Sequence, residues 1–110
     1  MAKKKKSKNP RKTEKAGIRF WNVWVECDSD KKGYFRGRDL LESRCGESSG
    51  SGTGGSGWDV SWHEIETEAE ARDIARKAAR FRSFVTSVRY YQDQDKDGKW
   101  GTEVYLKGKA

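Results

Sequence analysis

The sequence predicts a small α+β domain: an antiparallel sheet of about five strands with one main amphipathic helix on one face, in the order ββ-loop-β-α-β-β. Three observations carry that expectation. Short runs rich in aromatic and β-branched residues recur along the chain. One stretch, 68–82, combines a capping box with a helical apolar stripe. The length, 110 residues, allows a single domain. Leu, Ile, Val and Phe number only 16, under the roughly 20% that marks disorder. Five Trp and four Tyr offset this, because each large aromatic buries about 150–250 Å².

Residues 1–16 read as a disordered basic arm. They hold Lys3, Lys4, Lys5, Lys6, Lys8, Arg11, Lys12 and Lys15 against Glu14 alone, which accounts for +7. Like charges repel, and this segment has nothing to bury. The rest of the chain balances sixteen basic against sixteen acidic residues, so a neutral body carries a basic arm. No run of 18 apolar residues is present, which excludes a membrane-spanning helix. No apolar stretch follows the lysines, so they are not a secretory signal. The expected location is intracellular: cytoplasm or nucleoid, or the nucleus of a eukaryotic cell.

Residues 17–110 read as one domain interrupted by a flexible Gly/Ser loop at 46–57, whose composition predicts that it neither packs nor pairs. The first strand is 18–27, with Trp21, Val23, Val25 and Cys27 on one face and Ile18, Phe20 and Trp24 on the other. Asp28 to Gly33 is turn chemistry, and 34–41 is expected to return as a hairpin arm, with a short helix over 38–44 as the alternative. Trp58, Val60 and Trp62 alternate along a third strand. Thr67 and Glu70 form the capping box of a helix whose apolar face is Ala71, Ile74, Ala75, Ala78 and Phe81. Strands follow at 84–92 and at 100–106, the latter with Trp100, Thr102, Val104 and Leu106 on one side. The stretches D-S-D-K-K-G-Y-F (28–35) and D-Q-D-K-D-G-K-W (93–100) echo each other and both read as hairpin loops.

The tryptophan-rich strand followed by I-E-T-E-A-E-A-R-D-I-A-R-K-A-A (65–79) resembles the sheet-then-helix pattern of plant AP2 domains and phage-integrase arm-binding domains. That resemblance implies a three-stranded sheet lying in the DNA major groove. The 46–57 connector and the two C-terminal strands depart from the pattern, so no residues are carried over.

Candidate site residues fall into three groups. The arm cations would neutralise phosphates without reading sequence. Arg72, Arg76 and Arg80 recur every four residues on the helix surface, a row suited to phosphates or an acidic partner, or to local pairs such as Glu68 with Arg72. Arg89, Tyr91, Tyr105 and Lys107 share a parity on two strands expected to pair, and would form a stacking or partner surface. Asp93, Asp95, Asp97 and Gly98 open like a calcium loop, but Val104 stands where the twelfth-position Glu belongs, so they are at most a weak cation site and no metal is expected. His63 is the only histidine and reads as structural. Cys27 and Cys45 lack metal-ligand spacing, although oxidation could join them. No cofactor fingerprint occurs, and the chain is not expected to be an enzyme.

The expected function is non-enzymatic association with DNA or RNA. The arm supplies sequence-independent affinity, and the body a docking or stacking surface. The alternative is a protein-binding adaptor or inhibitor of bacteriophage type acting through the aromatic face. In a eukaryotic cell K-K-K-K-S-K-N-P-R-K would also suit nuclear import.

Overall fold

A computed structural model describes residues 19–28, 33–54 and 57–108. The basic arm and Ile18 lie outside the described residues. The elements are β1 (Trp21–Asp28), α1 (Tyr34–Cys45), β2 (Gly50–Gly54), β3 (Gly57–Ile65), α2 (Glu68–Ala79), β4 (Val85–Gln92) and β5 (Glu103–Lys107). The five strands form one sheet in the order β2-β3-β1-β4-β5, every neighbouring pair antiparallel. Up to β4 this is the split β-α-β arrangement, with β5 added beyond β4. Both helices cover the same face, which makes the domain α+β.

The core grows from the alternation in β1. Val23, Val25 and Cys27 are buried with Val60 and Val88 of the flanking strands. α2 lays Ala71, Ala75 and Ala78 on them, and these small side chains let the helix approach the sheet closely. Trp58 stacks on Phe84 with centroids 5.9 Å apart, and Tyr34 meets Trp58 edge-on at 5.6 Å. The N-cap half of the capping box forms as the spacing predicts: Glu70 N donates to Thr67 Oγ1 at 3.1 Å. α2 stops at Ala79, short of residue 82, because the Arg80 and Phe81 N–H groups bond Lys77 O and Ala78 O in a tighter turn.

Four expectations are corrected. Residues 34–41 are not a hairpin arm; they begin a helix that runs to Cys45, giving two helices in the order β-α-β-β-α-β-β. Tyr34, Leu41 and Cys45 lie on one side of that helix, Leu41 fully buried. The 46–57 segment does pair. Its Gly50–Gly54 stretch forms edge strand β2 against β3, because backbone hydrogen bonding needs no side chains to bury. Strand β5 starts at Glu103, so Trp100 and Thr102 belong to the preceding loop. Lys107 changes face: between Val88 and Arg89 of β4 the partner strand advances from Lys107 to Tyr105. The extra residue is a bulge. Lys107 therefore sits beside buried Val88, and its Nζ donates to Phe81 O at 2.9 Å. The helix between β1 and β2, and the sheet order, also separate this fold from the three-stranded sheet implied by the resemblance above.

Candidate nucleic-acid interface

The face of the sheet away from the helices gathers its aromatics around Arg89. On β4 and β5, Arg89 is the register partner of Tyr105, and Tyr91 of Glu103; on β1, Arg89 lies opposite Trp24. The guanidinium stands 5.2 Å from the Tyr91 ring centroid and 5.9 Å from those of Trp24 and Tyr105. It also pairs with Glu103. Burial pushes the Tyr91 hydroxyl above its ordinary pKa, only partly offset by Arg89. So Arg89, Tyr91 and Tyr105 are brought together as their parity predicts, and Lys107 is not.

Sequence parity misses Trp100, Trp24 and Glu103 as parts of this surface. Trp100 is 60% exposed. It does not face the helices; its ring stands 5.4 Å from that of Tyr91 at 75°. Gly101 lets the loop lie close over Gln92 and Arg19, because a Cβ there would lie 2.4 Å from Gln92 Oε1 and 2.9 Å from Arg19 Nη2. The loop that presents Trp100 is shaped by its acidic residues. Asp95 Oδ1 accepts from Asp97 N at 2.8 Å and Lys99 N at 3.0 Å, while Gly98, at φ 84°, closes the turn onto Asp95 O. The Lys99 N–H, with that of Asp97, holds the Asp95 carboxyl below its ordinary pKa. Asp93 Oδ1 accepts from Asn22 Nδ2 at 2.6 Å. The Asp93 and Asp95 carboxylates thus hold the turn, and among the described residues no cluster of metal-binding side chains occurs.

Arg19 fastens this loop to the start of β1. Its Nε donates to Asp93 O at 3.0 Å, and its Nη2 to the same carbonyl and to Lys99 O at 3.2 Å. The arm cations themselves, Lys3 to Lys15, lie outside the described residues. The described chain begins at Arg19, bonded to the loop that carries Trp100.

The opposite end of the same face is acidic. Glu26 and Asp59 are register partners on β1 and β3. Burial raises the Asp59 carboxyl above its ordinary pKa, and Glu26 adds to the shift. The helical arginines lie on the other side of the sheet altogether. Arg72 is engaged there, donating to Tyr90 Oη at 3.3 Å and to Glu68 at 3.0 Å. Arg76 and Arg80 are exposed with no ion pair among the described residues. Arg72, Arg76 and Arg80 therefore cannot share one surface with Arg89, Tyr91 and Tyr105.

His63 is part of a chain that crosses the sheet. Asn22 donates through Nδ2 to Asp93, so its Oδ1 accepts from His63 Nδ1 at 2.9 Å, and Nε2 faces Ser61 Oγ at 3.0 Å. The connectivity is that of a Ser-His relay, but Ser61 is only 5% exposed and lies between paired strands. What the chain does visibly is tie β3, β1 and the Trp100 loop together. Cys27 and Cys45 are both free thiols.

No family model, curated protein or solved structure gives a significant match to the chain. The site must be read from its own chemistry. Among the described residues no helix is long and apolar enough to cross a membrane.

Proposed function

We propose that this chain is a non-enzymatic nucleic-acid-binding protein whose basic arm and aromatic sheet end form one site. The supporting observation is the Arg19 anchorage: Arg19, four residues after the last arm cation, bonds the loop that exposes Trp100. Cations tracking a backbone beside exposed aromatics are the two elements of single-strand binding. The acidic Glu26–Asp59 end would repel phosphate, which confines the strand to the β4–β5 end. The working compartment is intracellular, where nucleic acid is at hand. A second reading, a protein partner on the aromatic face, draws support from that same acidic end, which would suit a basic partner. Capture from a host lysate with and without nuclease separates the two.

The direct test is fluorescence anisotropy on full-length protein at several salt concentrations. If six arm cations engage phosphates, log K falls with log salt at a slope of about −5 on duplex and about −4 on single strands. Replacing the eight arm cations with Gln should abolish most affinity and nearly all of the slope. Absence of binding to any nucleic acid near 50 mM salt would remove this reading.

A further inference from the structure

We infer that the corner between Trp100 and Tyr91 is a pocket for one unpaired nucleobase, and that Glu103 makes it prefer bases presenting hydrogen-bond donors. This rests on the single-strand reading above. The cleft measures about 310 Å³ and is lined by Arg89, Tyr91, Trp100, Gly101 and Glu103. That is the low end of the range for ligand cavities, a space for a single flat ring system and not for a base pair.

Its walls suit such a ring. Trp100 offers an exposed face, Tyr91 stands nearly perpendicular to it, and Gly101 adds no side chain. A base stacked on Trp100 directs its edge into the corner, towards Tyr91 and Glu103. The acceptor there is Glu103, set beside the Arg89 guanidinium. Glu103 Oε2 is held by Arg89, and Oε1 has no hydrogen bond among the described residues. A carboxylate offers acceptors only. Arg89 directs Nη1 to Glu103 and to Tyr105 Oη, and its face lies against the surrounding rings.

An acceptor at the end of a stacking slot sorts the bases. Guanine presents two adjacent donors on its Watson–Crick edge, and cytosine and adenine present an amino group. Thymine and uracil present one N–H flanked by two carbonyl oxygens, which a carboxylate repels. These edges are occupied in a duplex, so the pocket acts only on unpaired strands.

The test uses the full-length chain and fluorescein-labelled twelve-residue oligonucleotides of deoxycytidine and of thymidine, titrated by anisotropy at fixed salt. The cytidine strand should bind about fivefold tighter or more, the effect of one charge-assisted hydrogen bond. Trp100→Ala should weaken the cytidine strand about tenfold or more, while Trp100→Phe should retain most of the affinity, because stacking needs only a ring. Glu103→Gln should bring the two strands to near-equal affinity. Trp100 is exposed, so its variants should keep the parent melting temperature, which is measured alongside. Equal binding of both strands by the parent, with an intact salt slope, overturns the pocket and leaves the arm reading standing. So does a preference that survives Trp100→Ala and Glu103→Gln. Binding of neither strand overturns the nucleic-acid reading itself.

Discussion

Asn22→Ala is the sharpest probe of how the Trp100 loop is held. Asn22 is buried on β1. Its Nδ2 donates to Asp93 Oδ1 at 2.6 Å and its Oδ1 accepts from His63 Nδ1 at 2.9 Å. The Nδ2 contact to Tyr91 O, at 3.4 Å, is too long to count for much. Truncation removes one hydrogen bond to a charged group, worth about 1.5–3 kcal/mol, and one neutral bond worth about 1 kcal/mol. Asp93 is half-buried and His63 exposed, so both regain some water and the loss falls near about 2–3 kcal/mol. A domain of this size loses about 4–8 °C per kcal/mol, so the melting temperature should fall by about 10–20 °C. Circular dichroism melts at neutral pH measure this, with exposed Gln94→Ala as the control expected to change nothing. A fall of under about 3 °C would mean that water replaces the amide without loss, and that the chain from His63 to Asp93 does not secure the loop.

Two further outcomes follow from the thiols and from the strand glycines. Burial pushes the thiol pKa of Cys27 from 9.0 to about 12 and that of Cys45 from 9.0 to about 11. The folded chain therefore holds protons that the unfolded chain releases above pH 9. This contribution to stability is complete below pH 9 and is lost as pH rises towards 11–12. Urea midpoints of Cys27→Ala/Cys45→Ala should fall less steeply over that range than those of the parent; parallel curves would refute it. A Cβ on Gly57 of β3 would lie 2.2 Å from Cys27 O, a backbone atom that cannot step aside, whereas one on Gly52 of β2 meets only the Asp59 carboxylate at 3.8 Å. Gly57→Ala should cost about 2 kcal/mol or more, and Gly52→Ala within about 0.5 kcal/mol of nothing. Equal effects in chemical denaturation would contradict the β1–β3 register.

What the sequence made legible was local. Thr67, Glu70 and the spacing from Ala71 to Ala78 carry α2 without help, and period-two alternation carries β1, β3 and β4. α1 was misread because Tyr34 and Phe35 favour strands. It also has no side-chain N-cap and no acid in its first turn. Its helical signal, Tyr34, Leu41 and Cys45 on one side, is diluted by Gly37 and five charged residues. Strand β2 had no side-chain signal at all: glycine and serine take their structure from the neighbour they pair with. The aromatic cluster was half legible. Parity united Arg89, Tyr91 and Tyr105, but a single bulge moved Lys107 to the other face, and bulges leave no reliable mark in one sequence.

The two echoing acidic stretches show why the site could not be read whole. Similar turn residues follow β1 and β4, yet Gly33 opens a helix while Gly98 closes a turn between strands. What differs is what comes next: Tyr34, Leu41 and Cys45 can face a core together as a helix, whereas Glu103 and Tyr105 find partners only by pairing with β4. The turn chemistry permits both outcomes and tertiary burial selects one. The same logic governs the proposed site. Arg19 binds the backbone carbonyls of Asp93 and Lys99, which every residue possesses. Its grip therefore depends on the shape that Asp95 and Gly98 impose on the loop, not on the identity of the residues it touches. Trp100 stands beside Arg19 because a turn, that arginine and Asn22 fix the backbone beneath it, and these contacts span some seventy residues of chain. No pattern within a local window encodes that placement; it exists only once β1 and β4 have paired.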